Sequence, residues 1–170
     1  MKVRVTKPVY LPAGRQGLRL KGYGKGDFLS MMNLELAKRI LRSAVSKAEE
    51  KGRSCSIAIV DDNGWLVALH RMDGAPIPTS EIARDKAWTA AAFRLPSSEV
   101  PRFGDPRIPG YGLNVQNWNE RLSTIPGGMP IWDEGHLIGA IGVCSENPDE
   151  DVTLCQKVIE EMGSRLRSSF

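Results

Sequence analysis

The stretch CSIAIVDDNGWLVALHRMDGA, residues 55–75, decides how this chain folds. Residues 55–60 are rich in β-branched side chains, and Asp62-Asn63-Gly64 is a strong signal for a tight turn before residues 65–69. This pattern predicts a β-hairpin. Its second strand leads into Arg71-Met72-Asp73-Gly74-Ala75, which puts a cation, a carboxylate and a flexible glycine where an apolar strand ends. Binding and catalytic sites often form at such exits, so this segment is the first candidate for a functional site.

Helices are predicted on both sides of the hairpin and near the end of the chain. Asn33 can cap a first helix, whose apolar residues recur at spacings of three and four until about residue 51. Thr79 or Ser80 can cap a second helix that runs to about residue 93. A narrow face of alanines on this helix lets another backbone approach closely, either a sheet or a second subunit. Asn147-Pro148 is a typical start for the third helix.

Three further strands are predicted in the second half of the chain. Residues 95–119 contain too many prolines and glycines for long regular elements, so we expect a long loop with at most one short helix. Residues 122–125, 130–132 and 136–144 have the composition of short strands. Together with the hairpin they predict an α+β domain with a five-stranded, mainly antiparallel sheet. Helices can cover both faces of that sheet.

The composition is that of an ordinary soluble domain. A chain of 170 residues with 41% hydrophobic and 25% charged residues can bury one good core. No window approaches ~18 consecutive apolar residues, and the N-terminus lacks the apolar middle region of a secretory signal. Cys55, Cys144 and Cys155 are odd in number and form no C-x-x-C pair, which favours buried, reduced thiols. We therefore expect a cytoplasmic protein without a membrane partner.

The positive charge is concentrated at the N-terminus. Residues 1–30 carry seven Lys or Arg side chains against one Asp, a net charge of +6, so the remaining residues carry −3 of the total of +3. A mildly acidic body lacks the electrostatic footprint of a nucleic-acid binder. We interpret residues 1–31 as a flexible basic extension or an over-called start, and residues 32–170 as the domain. The intact mass of protein made from the native gene tests this hypothesis.

Four short motifs resemble one known family. They are Arg71-Met72-Asp73-Gly74-Ala75, the helix with Lys86-Ala87 and Thr89-Ala90, Gly127-Gly128-Met129-Pro130-Ile131, and Gly139-Ala140-Ile141-Gly142-Val143. In order and spacing they resemble the GlcG/HbpS-like haem-binding family, which also occurs as the C-terminal domain of PduO-type cobalamin adenosyltransferases. The resemblance implies a profilin-like α/β/α sandwich, assembly into symmetric homo-oligomers, and binding of haem or a related tetrapyrrole in some members.

Candidate site residues follow from the chemistry that haem requires. Haem binding needs an apolar slot, cations for the propionates and often an axial ligand. The resemblance and the residue types together suggest these cofactor-binding residues: Arg71, Asp73, Thr79, Lys86, Thr89, Gly127 and Gly128. His70 is the candidate metal ligand, better placed than His136, while Met72, Tyr111 and Met129 are candidates for lining the pocket. The chain departs from the family at Cys144-Ser145, where a serine and a glycine are usual, which puts an anion-binding role of that loop in doubt.

Each of these residues also has a purely structural interpretation. Arg71 and Asp73 can pin a loop to the sheet, Lys86 can lie on a solvated helix face, and the two glycines can serve a turn that alanine could not make. Two other functions also stay open. One is a lyase or isomerase that holds a carboxylate substrate with Arg71 and uses Asp73 or Glu81 as the base. The other is a non-catalytic assembling subunit with the alanine face and Trp88 buried between protomers.

Overall fold

A computed structural model describes residues 31–104, residue 107 and residues 119–167. Most of the extension over residues 1–31 and the candidate lining residue Tyr111 lie outside these residues. The elements, in chain order, are α1 (Leu34–Glu49), β1 (Ser56–Asp61), β2 (Leu66–Arg71), α2 (Thr79–Phe93), a 3₁₀ helix (Ser97–Gly104), β3 (Gly128–Asp133), β4 (His136–Cys144) and α3 (Pro148–Arg167). The three predicted helices, the hairpin and the short helix in the long loop are confirmed.

The sheet of the described residues has four strands in the order β2-β1-β4-β3, and all neighbours are antiparallel. The prediction of a fifth strand at residues 122–125 is wrong. Side chains rather than a neighbouring strand bind the backbone there. Thr89 Oγ1 accepts a hydrogen bond from Ser123 N at 2.9 Å, and Ser97 Oγ donates to Ile125 O at 2.7 Å. The segment therefore runs along α2 and the 3₁₀ helix instead of joining the sheet.

Helices cover both faces of the sheet, as predicted. The main core lies between the sheet and the pair α1 and α3, where residues such as Ile40, Ile57 and Val158 are buried. A second, smaller core lies under α2 and is built mainly from its alanines. Asn33 caps α1 as expected, because its Oδ1 accepts a hydrogen bond from Leu36 N at 2.9 Å.

The alanine face of α2 packs flat on the sheet of its own chain. A Cβ atom added to Gly142 on β4 would lie 2.0 Å from Ala83 O and 2.7 Å from Ala87 N. Glycine on the strand and alanine on the helix therefore allow the two backbones to approach closely. Since the sheet covers these alanines, the prediction that they are buried between protomers is wrong.

The predicted cap of α2 is also wrong. Pro78 occupies the N-cap position, without a side-chain hydrogen bond to the helix, and Thr79 is the first helical residue. Thr79 Oγ1 is 2.6 Å from Pro76 O and 2.7 Å from Ser56 Oγ, so its hydroxyl joins the turn to β1. Proline at the N-cap lacks the side-chain oxygen that a cap needs. The hydroxyl of Thr79, in the first turn of α2, instead fixes the preceding loop through Pro76 O.

Candidate functional site

A groove separates the C-terminal end of α1 from the outer strand β2. Its volume is about 520 Å³. Val45 and Glu49 contribute from α1, and the strand end contributes four consecutive residues, His70, Arg71, Met72 and Asp73. Arg53 and Ser54, from the segment before β1, close one side. The structure therefore brings the predicted metal ligand His70 and the predicted cofactor-binding residues Arg71 and Asp73 together in one groove.

The alternation of β2 explains why His70 faces this groove. Ile57 is the cross-strand partner of His70, and it belongs to the core under α1 and α3. Cross-strand partners share a face of the sheet, so His70 lies on the α1 side and is exposed at its rim. Met72 packs against the same core, and its Sδ lies 3.7 Å from Cys55 Sγ. An imidazole and a thioether thus lie close together at the end of β2.

Arg71 braces the loop that follows the strand. Its Nη1 donates a hydrogen bond to Ala75 O at 3.0 Å, while no hydrogen bond to Asp73 is present among the described residues. The side chain of Asp73 therefore does not hold Arg71 in place. The backbone oxygen of Asp73 instead accepts a hydrogen bond from Ser54 Oγ at 2.7 Å, and Gly74 supplies a φ of +82° for the tight turn. These contacts fix the loop beside the groove. Arg71 is the cross-strand partner of Ser56, whose hydroxyl contacts Thr79 of α2, so its side chain leaves the strand on the face opposite to His70.

Lys86 has a different position from the one that the sequence suggested. It is fully buried, with 0% exposure, so the interpretation as a solvated helix face is wrong. Its ammonium donates to Val143 O at 2.8 Å and forms an ion pair with Asp151 Oδ2 at 3.0 Å. Asp151 is 1% exposed and also accepts hydrogen bonds from the backbone and hydroxyl of Ser145. The pair connects α2 on one face of the sheet with α3 on the other.

Gly127 and Gly128 make room for this buried pair. A Cβ on Gly127 would lie 3.0 Å from Lys86 Nζ and 2.8 Å from Asp151 Cβ, and one on Gly128 would lie 2.2 Å from Lys86 O. Gly128 N donates to Ser97 Oγ at 3.0 Å, so this amide serves the interior. Gly127 has a φ of +118°, which strains any side-chain-bearing residue. The glycines therefore meet a packing requirement, and they lie away from the groove.

Thr79 and Thr89 are likewise interior residues. Thr89 is fully buried, and its hydroxyl donates to Arg121 O at 3.2 Å while it accepts from Ser123 N. Thr79 is buried between β1 and the start of α2. The residues that sequence analysis grouped as one site thus separate into the groove and a set of buried structural positions.

Residues 32–160 match the sequence model of a protein family, which is described as "Haem degrading protein HbpS-like". This chain belongs to the HbpS-like family.

Curated relatives of this HbpS-like chain include enzymes and small proteins. It is 32% identical over 127 residues to the corrinoid adenosyltransferase PduO of Citrobacter freundii, which is 75% of this chain and 38% of that protein. It therefore spans little more than a third of the length of PduO. It is also 32% identical over 119 residues to the protein GlcG of Escherichia coli, which is 66% of this chain and 81% of GlcG. The resemblance drawn from the four motifs is confirmed.

Among solved structures, this HbpS-like chain is similar to PduOC in a complex with haem. The TM-score is 0.68 at 28% sequence identity, and the match covers 76% of this chain and 94% of that one. The mixed fold with an antiparallel sheet is therefore that of the family. All four strands, the hairpin β1–β2 and the pair β3–β4, lie within residues 32–160, the range that the family model matches.

Two residues outside the predicted set matter in this HbpS-like chain, Arg53 at the groove and Asp151 in the interior. Arg53 lines the groove, and its guanidinium contacts both Glu150 and Ser145 Oγ. Asp151 lies in the first turn of α3 and is the buried partner of Lys86. The signal that could have found it is the position of Lys86 among the buried alanines of α2, because a buried ammonium requires a carboxylate nearby.

The thiols of this HbpS-like chain are buried and reduced, as predicted. Burial raises the pKa of Cys55 to about 11 and also raises the pKa of Cys144. Desolvation raises the pKa of Cys155 still further. These groups are therefore neutral near pH 7 and poorly suited to serve as thiolate ligands. In the described part of the chain no three His, Cys, Asp or Glu residues form a metal site, and no helix is long and apolar enough to cross a membrane.

Proposed function

We propose that this protein binds haem or a related tetrapyrrole in the groove between α1 and β2. The observation that carries the proposal is the grouping of His70, Arg71 and Met72 at one strand end of a chain in the HbpS-like family. The relative PduOC, of the same fold, has been solved as a haem complex. When bound, haem supplies a redox-active iron that takes axial ligands from the protein.

The groove residues have the properties that haem requires. A volume of about 520 Å³ lies within the range of small-ligand sites, ~300–1,000 Å³. Val45 and Met72 offer apolar contacts for the macrocycle. Arg71, at the last position of β2, would reach a propionate at the end of the strand, because within the described residues only one hydrogen bond, to Ala75 O, engages its five donors. His70 would supply the axial nitrogen.

A different role follows for the buried residues of the predicted site. Thr79, Lys86, Thr89, Gly127 and Gly128 would support the domain without contacting the ligand, since each is buried and packed against protein atoms. Asp73 is exposed at the groove, and its negative charge would repel propionates. We therefore assign it to the rim.

The lyase or isomerase alternative has less support. It needs a base beside Arg71. Asp73 lines the groove, but its carboxylate forms no hydrogen bond or ion pair with Arg71 in the described residues, and Glu81 forms an ion pair with Arg84 at 2.7 Å on an exposed turn of α2. Glu81 is not among the residues of the groove. We therefore propose binding as the function, without a catalytic base.

Haemin titration tests the proposal directly. We expect the wild-type protein to produce a Soret band that saturates. Replacing Arg71 by Ala removes a charged hydrogen-bond donor, typically ~1.5–3 kcal/mol, so the affinity should fall about 10- to 100-fold. His70→Ala should shift the Soret maximum, because the iron loses its nitrogen ligand.

The chain provides its own control for this titration. His136 is exposed at the start of β4 and is not a groove residue. His136→Ala should therefore leave the haemin spectrum and affinity unchanged. A featureless wild-type titration, or equal spectra for wild type and His70→Ala, would refute haem binding through His70.

We also propose that the protein is a cytoplasmic homo-oligomer. Trp65, Ile77 and Trp132 have exposed fractions of 65%, 84% and 45%, and a subunit interface would cover such side chains. The three free, buried thiols support a reducing compartment. Light scattering after size exclusion should give a mass that is a multiple of 18.7 kDa. A monomer at micromolar concentration would contradict this proposal.

A further inference from the structure

A second cavity lies on the same side of the sheet as the groove, between the end of α1 and the start of α3. Its volume is about 210 Å³. Ala48, Cys55 and Leu154 form its apolar floor, and all three are buried. The cavity is smaller than the ~300 Å³ at which sites for drug-sized ligands begin, so it suits a small metabolite.

Among the charged residues that line this cavity and form no ion pair, positive charges outnumber negative ones. Four cations line it, from three segments of the chain: Lys47, Lys51, Arg53 and Lys157. Lys47 forms an ion pair with Glu161 at 2.8 Å, and Arg53 pairs with Glu150. Lys51 and Lys157 form no ion pair with any residue in the described part of the chain.

The carboxylates that line the cavity are mostly engaged. Asp151 is bound by Lys86 and Ser145, and Glu150 is bound by Arg53. Glu50 accepts a long hydrogen bond of 3.4 Å from Ser46 Oγ and carries no ion pair within the described ranges. Two unpaired ammonium groups against one unpaired carboxylate leave a net positive charge at the walls. Lys51 follows α1 and Lys157 lies on α3, so the two lysines come from separate segments of the chain that line the cavity.

We infer that this cavity is a binding site for a small organic carboxylate. The floor of Ala48, Cys55 and Leu154 would contact a short hydrocarbon body, and the ammonium groups of Lys51 and Lys157 would bind the carboxylate ends. A dicarboxylate fits this arrangement best, because two unpaired lysines from separate segments line the cavity together with apolar side chains. The inference does not depend on haem binding in the groove.

Calorimetric titration with succinate and, separately, with inorganic phosphate tests this inference at constant ionic strength. Succinate should bind more tightly than phosphate, because phosphate has no apolar body for the floor. Lys157→Gln and Lys51→Gln should each weaken succinate binding about tenfold, the effect of losing one charge-assisted contact. Both lysines are exposed, so the substitutions should leave folding intact.

Lys38→Gln is the matched control. Lys38 is an exposed residue of α1 that pairs with Glu35 and does not line the cavity, so its loss removes one charge elsewhere on the surface. Succinate affinity should be unchanged in this variant. The inference is overturned if succinate does not bind, if phosphate binds equally well, or if Lys38→Gln weakens binding as much as Lys157→Gln.

The same variants separate this site from the groove. Lys157 does not line the groove, so Lys157→Gln should titrate with haemin as the wild type does. Conversely, Arg71→Ala should keep its succinate affinity, because Arg71 does not line the cavity. A failed haemin titration with normal succinate binding would refute the proposed function alone, and the reverse result would refute the carboxylate site alone.

Discussion

Lys86→Met is expected to destabilise the domain by about 3–5 kcal/mol, the usual cost of removing one partner of a buried ion pair. Methionine is close to lysine in size, so the cavity term should be small. The cost arises because Asp151, 1% exposed, would keep a charge in the interior without its ammonium partner. Val143 O would also lose a hydrogen bond of 2.8 Å. Urea unfolding followed by circular dichroism measures the difference.

Two further variants make this prediction specific to the pair. Lys38→Met removes an exposed lysine whose ion pair with Glu35 is solvated, so its effect should stay within about 0.5 kcal/mol. Adding Asp151→Leu to Lys86→Met should recover part of the lost stability, because no bare charge then remains. If Lys86→Met unfolds at the wild-type urea concentration, the ammonium does not stabilise the interior as described.

Gly142→Ala is expected to cost about 3 kcal/mol or more, at the upper end for overpacked interiors. The added Cβ would lie 2.0 Å from Ala83 O and 2.7 Å from Ala87 N, and both atoms belong to the backbone of α2. A flexible side chain could turn away, but a helix backbone must move as a whole. The helix would have to lift from β4, which would open the smaller core. Thermal unfolding should show a clear loss of melting temperature.

Gly52→Ala separates this steric effect from the general cost of replacing glycine. Gly52 has a φ of +63°, and a Cβ there would have no atom within 4 Å. Its replacement should therefore cost only the strain of a left-handed backbone, roughly 1 kcal/mol. Equal losses in Gly52→Ala and Gly142→Ala would show that close packing of α2 on β4 is not the determining factor.

Much of the fold could be predicted because local patterns and tertiary packing agree. The hairpin over residues 56–71 follows from β-branched residues around Asp62-Asn63-Gly64, and α1 follows from its cap and apolar spacing. The prediction of a strand at residues 122–125 was wrong because composition cannot show which groups form hydrogen bonds with the backbone of a segment. There, Ser97 and Thr89, distant in sequence, take the hydrogen bonds that a neighbouring strand would have taken.

The candidate site could be predicted only where its residues are close in sequence. His70, Arg71 and Asp73 lie on one strand and its exit, so their common location was visible. Lys86 and Asp151 are 65 residues apart, and their pairing depends on how α2 and α3 pass the sheet. A lysine between Asp85 and Ala87 has the appearance of a surface residue until the direction of the helix is known. In the same way, the place of Arg53 in the groove could not be predicted without knowing where α1 packs.

The buried pair has a consequence for how the domain can open. Its ammonium comes from the helix on one face of the sheet and its carboxylate from a helix on the other face. Lifting either layer away from the strands would separate the two buried charges, at a cost of several kcal/mol. Partial opening between the layers is thereby suppressed. The groove and the small cavity both lie on the α1 and α3 side of the sheet. The ion pair to α2 on the opposite side thus helps to keep the sheet beneath them in place.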